Sequence, residues 1–500
     1  MSKTKTIIKD SANYTASTIV GQIIGIAASI VLRRFLSPEM MGVWAFFLMI
    51  LSYALFAHFG VFTAIGVLIP YFRGKKDFKE IGALSNTAFV FTCVMSIAVA
   101  LIVFFSSFFF EHAEPRYMAF GIRMISLIIF ATIFYNFFTE LLRADKLFSI
   151  ISKAILVNAL SMAFFILGLT YFFGLYGIFY AALLATIATL AYVVFAARYK
   201  LKFEFDFEKL KVLLRAGFPI LVTGITYTFL ISVDKIVIMR LLGPKALGFY
   251  SIAILAFTYA NTFPKLFGIV IFPSMQESFG ETDSKEYILS FVKKPSFIMA
   301  WFLPVLLAAA FFLVPVLVYY VIPKYSAGVT SMKILLFGCF FISLAPLAQN
   351  FLISIKKQNI LIPVTFISVI TAVLLSYYLV KIGYGINGVS FGTSIGYAVY
   401  FVLCFYYALI HCDIKKEIYK FLGAVSLPVL YAGFVAVFCE WFLKDKTVLI
   451  QAVAGGAIFL VMYMPAVFFI NSRKNIFSFL NRKKMTKVLE TKEVEPIEIT

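Results

Sequence analysis

Charge is what this chain is short of. Only 14% of its 500 residues are Asp, Glu, Lys or Arg, and within that small share the acids are scarcer than the bases, 24 against 44. Soluble domains carry about 25% charged and about 45–50% apolar residues. Here 62% are hydrophobic and the mean hydropathy is +0.97. No soluble fold hides that much apolar surface, which excludes a water-soluble enzyme or binding module. Histidine and cysteine are also sparse, at three and five. Cys93, Cys339, Cys404, Cys412 and Cys439 show no CxxC or zinc spacing and mostly fall inside apolar runs, so packing is their expected role, with neither disulfides nor a metal site. A phosphate-cradling glycine loop, a nucleophile elbow and a metal-ligand cluster are missing too. The expectation is a protein without cofactor or catalytic centre.

What fills the chain is long apolar runs. A helix crosses the hydrocarbon with about 20 mostly apolar residues. Runs of that kind cover 14–32, 41–71, 82–110, 118–142, 150–173, 176–197, 217–242, 246–276, 296–322, 331–355, 359–380, 386–410, 423–443 and 447–470. The expected fold class is an all-α polytopic membrane protein with fourteen transmembrane helices.

Lysine and arginine orient it. They crowd the even-numbered connections and both tails over the odd-numbered connections by about three to one, which puts both termini in the cytoplasm of a cell (inner) membrane. The formal net charge of +20 then serves orientation and contact with anionic lipids, and no nucleic-acid partner is needed to explain it. Lys3, Lys5 and Lys9 before the first run imitate a signal peptide, but the apolar core is too long and belongs to a repeat.

That repeat is RRFLSPEMMGVWAFF, Arg33 to Phe47, returning as MRLLGPKALGFYSIA, Met239 to Ala253. Arg34, Leu36, Pro38, Gly42 and Tyr53 recur as Arg240, Leu242, Pro244, Gly248 and Tyr259, and upstream Ile30 and Val31 recur as Ile236 and Val237. Shared turn chemistry alone would supply the proline and glycine, because proline ends a helix and glycine admits a close neighbour. The spacing adds more. The copies start in the first and seventh helices, so the two halves point the same way, as in transporters built from parallel halves around a central cavity. The expected organisation is a six-helix bundle at 1–197, an amphipathic cytoplasmic linker at 198–216, a second six-helix bundle at 217–410, two further transmembrane helices within 411–470, and a disordered tail at 471–500.

Three stretches carry a family resemblance: FDFEKLKVLLRAGFPILV, SVDKIVIMRLLGPKALGFYSIA and IVIFPSM. They resemble the polysaccharide-export (Wzx-like) branch of the MOP flippase superfamily. Its seventh helix pattern is met by Asp234, Leu242, Gly243, Gly248 and Tyr250, and its eighth-helix proline by Pro273. His58 departs from the pattern, standing where an acidic or amide residue is usual. The resemblance implies a flippase that moves a polyprenyl-pyrophosphate-linked oligosaccharide from the inner to the outer leaflet by alternating access. Possible partners are a coupling ion, H+ or Na+, and glycan-assembly proteins.

Such a cargo carries a pyrophosphate, so its path should hold buried cations. The candidates inside spans are Lys235, Arg123 and Lys265. Lys235 ends a small, polar helical face formed by Gly224, Thr228 and Ser232, and the first helix offers the matching face Ser17, Gly21, Gly25 and Ser29, with Ser29 at the repeat position of Lys235. These faces either line a cavity or pack tightly against neighbouring helices. Asp234 is either half of a local pair with Lys235 or an ion-coupling carboxylate. Arg123 and Lys265 can snorkel as easily as face the cargo. Arg33, Arg34 and Arg240 read as interfacial anchors, Glu140 with Asn136 likewise, and His58 as a hydrogen-bonded structural histidine in preference to a proton site. The rival functions are a MATE-like exporter of cationic drugs, a polytopic glycan polymerase and a membrane scaffold. A drug exporter should bury more acid than this chain does, and a polymerase needs larger external loops.

Overall fold

A computed structural model gives the fold. It describes residues 3–110, 117–282, 284–412 and 418–474, with the side chains of 3–12, 263, 265–274, 276–282 and 472–474 outside the description. The tail expected to be disordered lies outside the described residues except for the end of the last helix.

The described residues hold sixteen α-helices, with no strand among them. They are α1 (Lys3–Phe35), α2 (Pro38–Ala54), α3 (Val61–Gly74), α4 (Phe78–Ser106), α5 (Tyr117–Ala144), α6 (Phe148–Phe173), α7 (Leu175–Ala197) and α8 (Phe207–Leu230). Then come α9 (Val233–Leu241), α10 (Gly243–Thr282), α11 (Lys285–Val321), α12 (Val329–Ser354), α13 (Leu361–Lys381), α14 (Gly385–Ile410), α15 (Ile418–Phe442) and α16 (Val448–Lys474). Each of the fourteen runs falls on a helix or a helix pair. Thirteen spans are long and apolar enough to cross a membrane among the residues searched. The run 246–276 lies on the 40-residue α10.

Two runs are broken. The second becomes α2 and α3 around a short 3-10 turn, where Phe59 (φ 46°) and Gly60 (φ 90°) take the left-handed conformation. The seventh becomes α8 and α9 across Ile231 and Ser232. The repeated phrase sets its own helix start. Ser37 caps α2 by accepting from the Met40 amide at 3.3 Å, and Pro38 takes the first turn, where its missing N–H costs nothing.

The two halves repeat their packing as well as their wording. α1 lies on α6 as α9 lies on α13, α6 on α7 as α13 on α14, α5 on α7 as α12 on α14, and α2 on α5 as α10 on α12. α15 and α16 stand aside. They pack on α11 around a separate core that includes Trp301, Phe312, Val435, Phe459 and Tyr463.

The linker differs from expectation. Residues 198–206 are an extended strap, and helix begins only at Phe207, where Asp206 caps the Glu208 and Lys209 amides at 2.8 and 3.2 Å. The strap is extended because its polar groups find partners on the first half. Asn86 accepts from the Lys202 amide at 3.1 Å and donates to Glu204 at 3.0 Å, Thr87 accepts from the Asp206 amide, and Tyr199 donates to Asp145 at 2.5 Å. Asp145 also pairs with Arg73. Burial and then the Asp145 carboxylate push the Tyr199 hydroxyl well above its ordinary value. This strap end and the opposite end, where the two repeated turns lie, define the long axis of the bundle.

Candidate functional site

The two copies of the repeated phrase meet each other. At Gly42 a Cβ would overlap the Pro244 carbonyl, and at Gly248 one would overlap the Pro38 carbonyl, so α2 and α10 cross backbone to backbone at the turn end. Only glycine permits that approach. The Tyr325 hydroxyl donates to the Leu36 carbonyl at 3.0 Å and the Lys324 ammonium to the Arg34 carbonyl at 2.9 Å, closing the same seam.

Arg33 sits inside this seam, not at the interface with headgroups. Its residue exposure is 5%. The guanidinium reaches across from α1 to α10, donating to the Ser251 carbonyl at 3.1 Å and its hydroxyl at 3.3 Å, and back to the Ser29 carbonyl at 3.1 Å and hydroxyl. The phenols of Tyr259 and Tyr325 stand close by. All these hydrogen-bond partners are neutral oxygens, and Nε finds no acceptor among the described residues. A buried guanidinium without a carboxylate costs several kcal/mol and is kept where function requires it. The anchor reading of Arg33 is therefore corrected, while Arg34 and Arg240 are exposed as an anchor should be.

The second half buries the opposite sign. Asp234, 3% exposed, accepts from the Tyr250 hydroxyl at 2.7 Å through one oxygen and from the Lys235 amide at 2.8 Å through the other. The Lys235 ammonium folds back, 3.4 Å from the same carboxylate and 2.7 Å from the Ile231 carbonyl. Lys235 thus compensates Asp234 and leaves the pair close to neutral. In the first copy the equivalent positions hold Ala28 and Trp44 in place of Asp234 and Tyr250, while Arg33 corresponds to Met239. The repeat keeps the geometry and divides the charges unevenly: a cation without a carboxylate in one half, an acid paired with its own lysine in the other.

The small-residue faces point to the opposite half's hairpin. On α8, Gly224 meets the Phe56 ring, and in the break after it Ser232, whose own proton goes to the Thr228 carbonyl at 2.6 Å, accepts from the Tyr53 hydroxyl at 2.5 Å. On α1, Gly25 lies under the Tyr259 hydroxyl, Ser29 holds Arg33, and Ser17 is half-buried, but Gly21 packs on Ile155 of α6 within its own half. Tyr53 and Tyr259 are repeat equivalents, so each half inserts the same tyrosine toward the other.

The remaining candidates lie apart from Arg33. Arg123 donates to the Ser107 hydroxyl at 3.1 Å and stacks on Phe108, both at the end of α4. Lys265 lies on α10 with its side chain outside the described residues. His58, Asn136 and Glu140 come together instead. With Arg143 they line a cavity of about 510 Å³ between the second span and α5. There the His58 Nδ1 accepts from the Gly60 amide at 3.0 Å, its ring stacks on Phe62, and Glu140 pairs with Arg143 at 2.5 Å. Sequence alone gave His58 no partner, because the fold supplies the wall opposite.

Two like-oriented helical bundles, joined by a glycine seam in which Arg33 is buried, define a multi-pass membrane protein with the architecture of MOP-superfamily transporters. An inward-facing multidrug resistance MATE family transporter of that superfamily shares the fold with a TM-score of 0.67 at 16% identity, covering 79% of this chain and 96% of that one. Lipid II flippase MurJ in an inward closed conformation gives 0.65 at 15% identity over 92% and 99%. A MOP superfamily transporter from Pyrococcus furiosus, described by a binding pocket of reverse polarity, gives 0.63 at 16% over 82% and 96%. No curated protein sequence matches. The family is nevertheless plain: residues 31–325 match the model of the polysaccharide biosynthesis protein family, and the chain belongs to that family. The resemblance carried by Asp234, Gly248 and Tyr250 holds at this level.

Proposed function

We propose that this protein is a flippase that carries a polyprenyl-pyrophosphate-linked oligosaccharide from the cytoplasmic to the outer leaflet during cell-surface polysaccharide biosynthesis. The observation that carries the reading is Arg33, a buried cation placed between the halves and bonded only to neutral oxygens. An anionic headgroup is the partner that such a site lacks.

Alternating access supplies the cycle. With both termini cytoplasmic, the turn end faces outward and the packed seam of Gly42, Gly248, Arg33 and Tyr325 acts as the outer gate. A pyrophosphate entering from the strap side competes with the Ser251 oxygens for the Arg33 guanidinium, because an ionised acceptor bonds it more strongly than a neutral one. The bond from α1 to α10 is then released, and the gate can part over the cargo. Asp234, held by Tyr250 and Lys235, serves as the ion-coupling carboxylate, binding H+ or Na+ when the Lys235 ammonium moves away. No step breaks or makes a covalent bond, so the activity is transport and not catalysis. A MATE-like exporter of cations fits less well, since the uncompensated buried charge is positive.

The test is the sidedness of lipid-linked glycan in cells lacking the protein. The reading predicts inner-leaflet accumulation that wild type reverses. Cells that still present the glycan outside at the wild-type rate would refute it.

A further inference from the structure

A crevice of about 760 Å³ opens where the two halves meet toward the strap end, between α4 and the start of α8. Phe59, Phe91 and Met95 of the first half line one side, and Leu214, Phe218 and Pro219 of the second half line the other. The chain neighbours of Phe59 and Phe218, Gly60 and Gly217, meet each other, and a Cβ on either would overlap the other's backbone. The lining is almost wholly apolar, with one cation at its edge, Arg215.

Arg215 is exposed, and no ion pair or hydrogen bond holds it among the described residues. Its neighbours on α8 are already matched: Lys209 pairs with Glu80 and Lys211 with Glu208, each at 2.7 Å. Arg215 stands about 12 Å along α8 from its capped start, a rise set by 1.5 Å per residue. That depth suits the boundary between headgroups and acyl chains. An apolar slot with a free guanidinium at its mouth matches a molecule with an acyl chain and an anionic phosphate, and the planar guanidinium fork grips phosphate bidentately where an ammonium would not.

We propose that this crevice binds one anionic phospholipid, its phosphate on Arg215 and an acyl chain between Phe59, Phe91 and Phe218. The lipid is a resident of the seam and not the cargo. Both halves wall the crevice, so an occupied site braces the Gly60–Gly217 contact, and the occupancy changes whenever the halves move there.

Native mass spectrometry of the full-length protein, titrated with phosphatidylglycerol and separately with phosphatidylcholine, tests this without reference to transport. Wild type is expected to retain one phosphatidylglycerol with about fivefold preference over phosphatidylcholine, the factor expected for one interfacial arginine. Arg215→Gln should erase the preference, and Lys211→Gln, which removes a cation already paired with Glu208, should keep it. Equal retention of the two lipids by wild type, or an undiminished preference in Arg215→Gln, would overturn the assignment. Either result would leave the flippase reading untouched, since no cargo enters the measurement.

Discussion

Gly42 and Gly248 hold the turn-end seam together by each lying on the backbone of the other's turn, Gly42 on Pro244 and Gly248 on Pro38. Two residues equivalent by repeat thus become reciprocal contacts across the axis that relates the halves. The repeated phrase packs against its own copy, once from each half.

A methyl group at either glycine must push α2 away from α10. Gly42→Ala or Gly248→Ala is expected to destabilise the closed seam by about 1–3 kcal/mol, the usual cost of overpacking. A thermal melt should fall accordingly, and a cysteine placed at the turn end should become more reactive. Gly456→Ala is the control, because nothing lies within 4 Å of the position its methyl would take. Equal tolerance of all three substitutions would count against the seam.

Tyr325→Phe removes a single hydrogen bond, the one to the Leu36 carbonyl. A bond of this kind contributes about 1 kcal/mol, so on the proposed cycle the ratio of open to closed seam should rise about fivefold. Distances between spin labels on α2 and α10 would report it, and an unchanged distribution would show that Tyr325 does not hold the gate.

Asp234→Asn keeps an acceptor for Tyr250 and removes the charge. In proteoliposomes the variant is expected to lose the acceleration of flipping that an imposed H+ or Na+ gradient gives to wild type, and, because Lys235 is left without its carboxylate, to lose about 1–3 kcal/mol of stability. A variant that still responds to the gradient would move ion coupling elsewhere.

The strap depends on Asp145, which accepts from Tyr199 and pairs with Arg73. Asp145→Asn should lower stability by about 1.5–3 kcal/mol, the range for a hydrogen bond to a charged group. Tyr199 adds a pH signature. Its folded value lies above the ordinary 10.0, so its contribution is complete below pH 10.0 and fades as the pH rises beyond it. Tyr199→Phe should remove that alkaline component of a melting series, and a series unchanged by the substitution would dismiss it.

The fold was legible because a bilayer leaves few choices. Fourteen apolar runs can only be helices there, and the parity of the repeat fixes the halves as parallel. The charges were harder. Lys235 reads as the cavity cation because it ends a polar stripe, yet its side chain turns back to Asp234, which no periodicity reveals. Arg33 reads as an anchor because it stands beside Arg34 at a helix end, and its burial is made by Ser251, 218 residues away. One signal was present in the letters. Arg34 recurs as Arg240 and both are exposed, whereas Arg33 recurs as Met239, so Arg33 is the cation that only one half carries. Departure from the repeat marked the site better than agreement with it. The strap was legible in part: Leu201, Phe203 and Phe205 alternate with Lys202, Glu204 and Asp206 at the period of two of an extended segment, whereas its anchorage on Asn86, Thr87 and Asp145 is set by other elements.

The central claim is that the Arg33 guanidinium holds an anionic headgroup between the halves. The most direct measurement is the affinity of purified protein for polyprenyl pyrophosphate, with the uncharged polyprenol as reference, in wild type, Arg33→Lys and Arg33→Gln. The account predicts that Arg33→Gln weakens binding of the pyrophosphate by about tenfold or more, the loss expected for charge-assisted hydrogen bonds. Arg33→Lys should fall in between, and the polyprenol should bind all three alike. Pyrophosphate affinity that is the same in wild type and Arg33→Gln would contradict it.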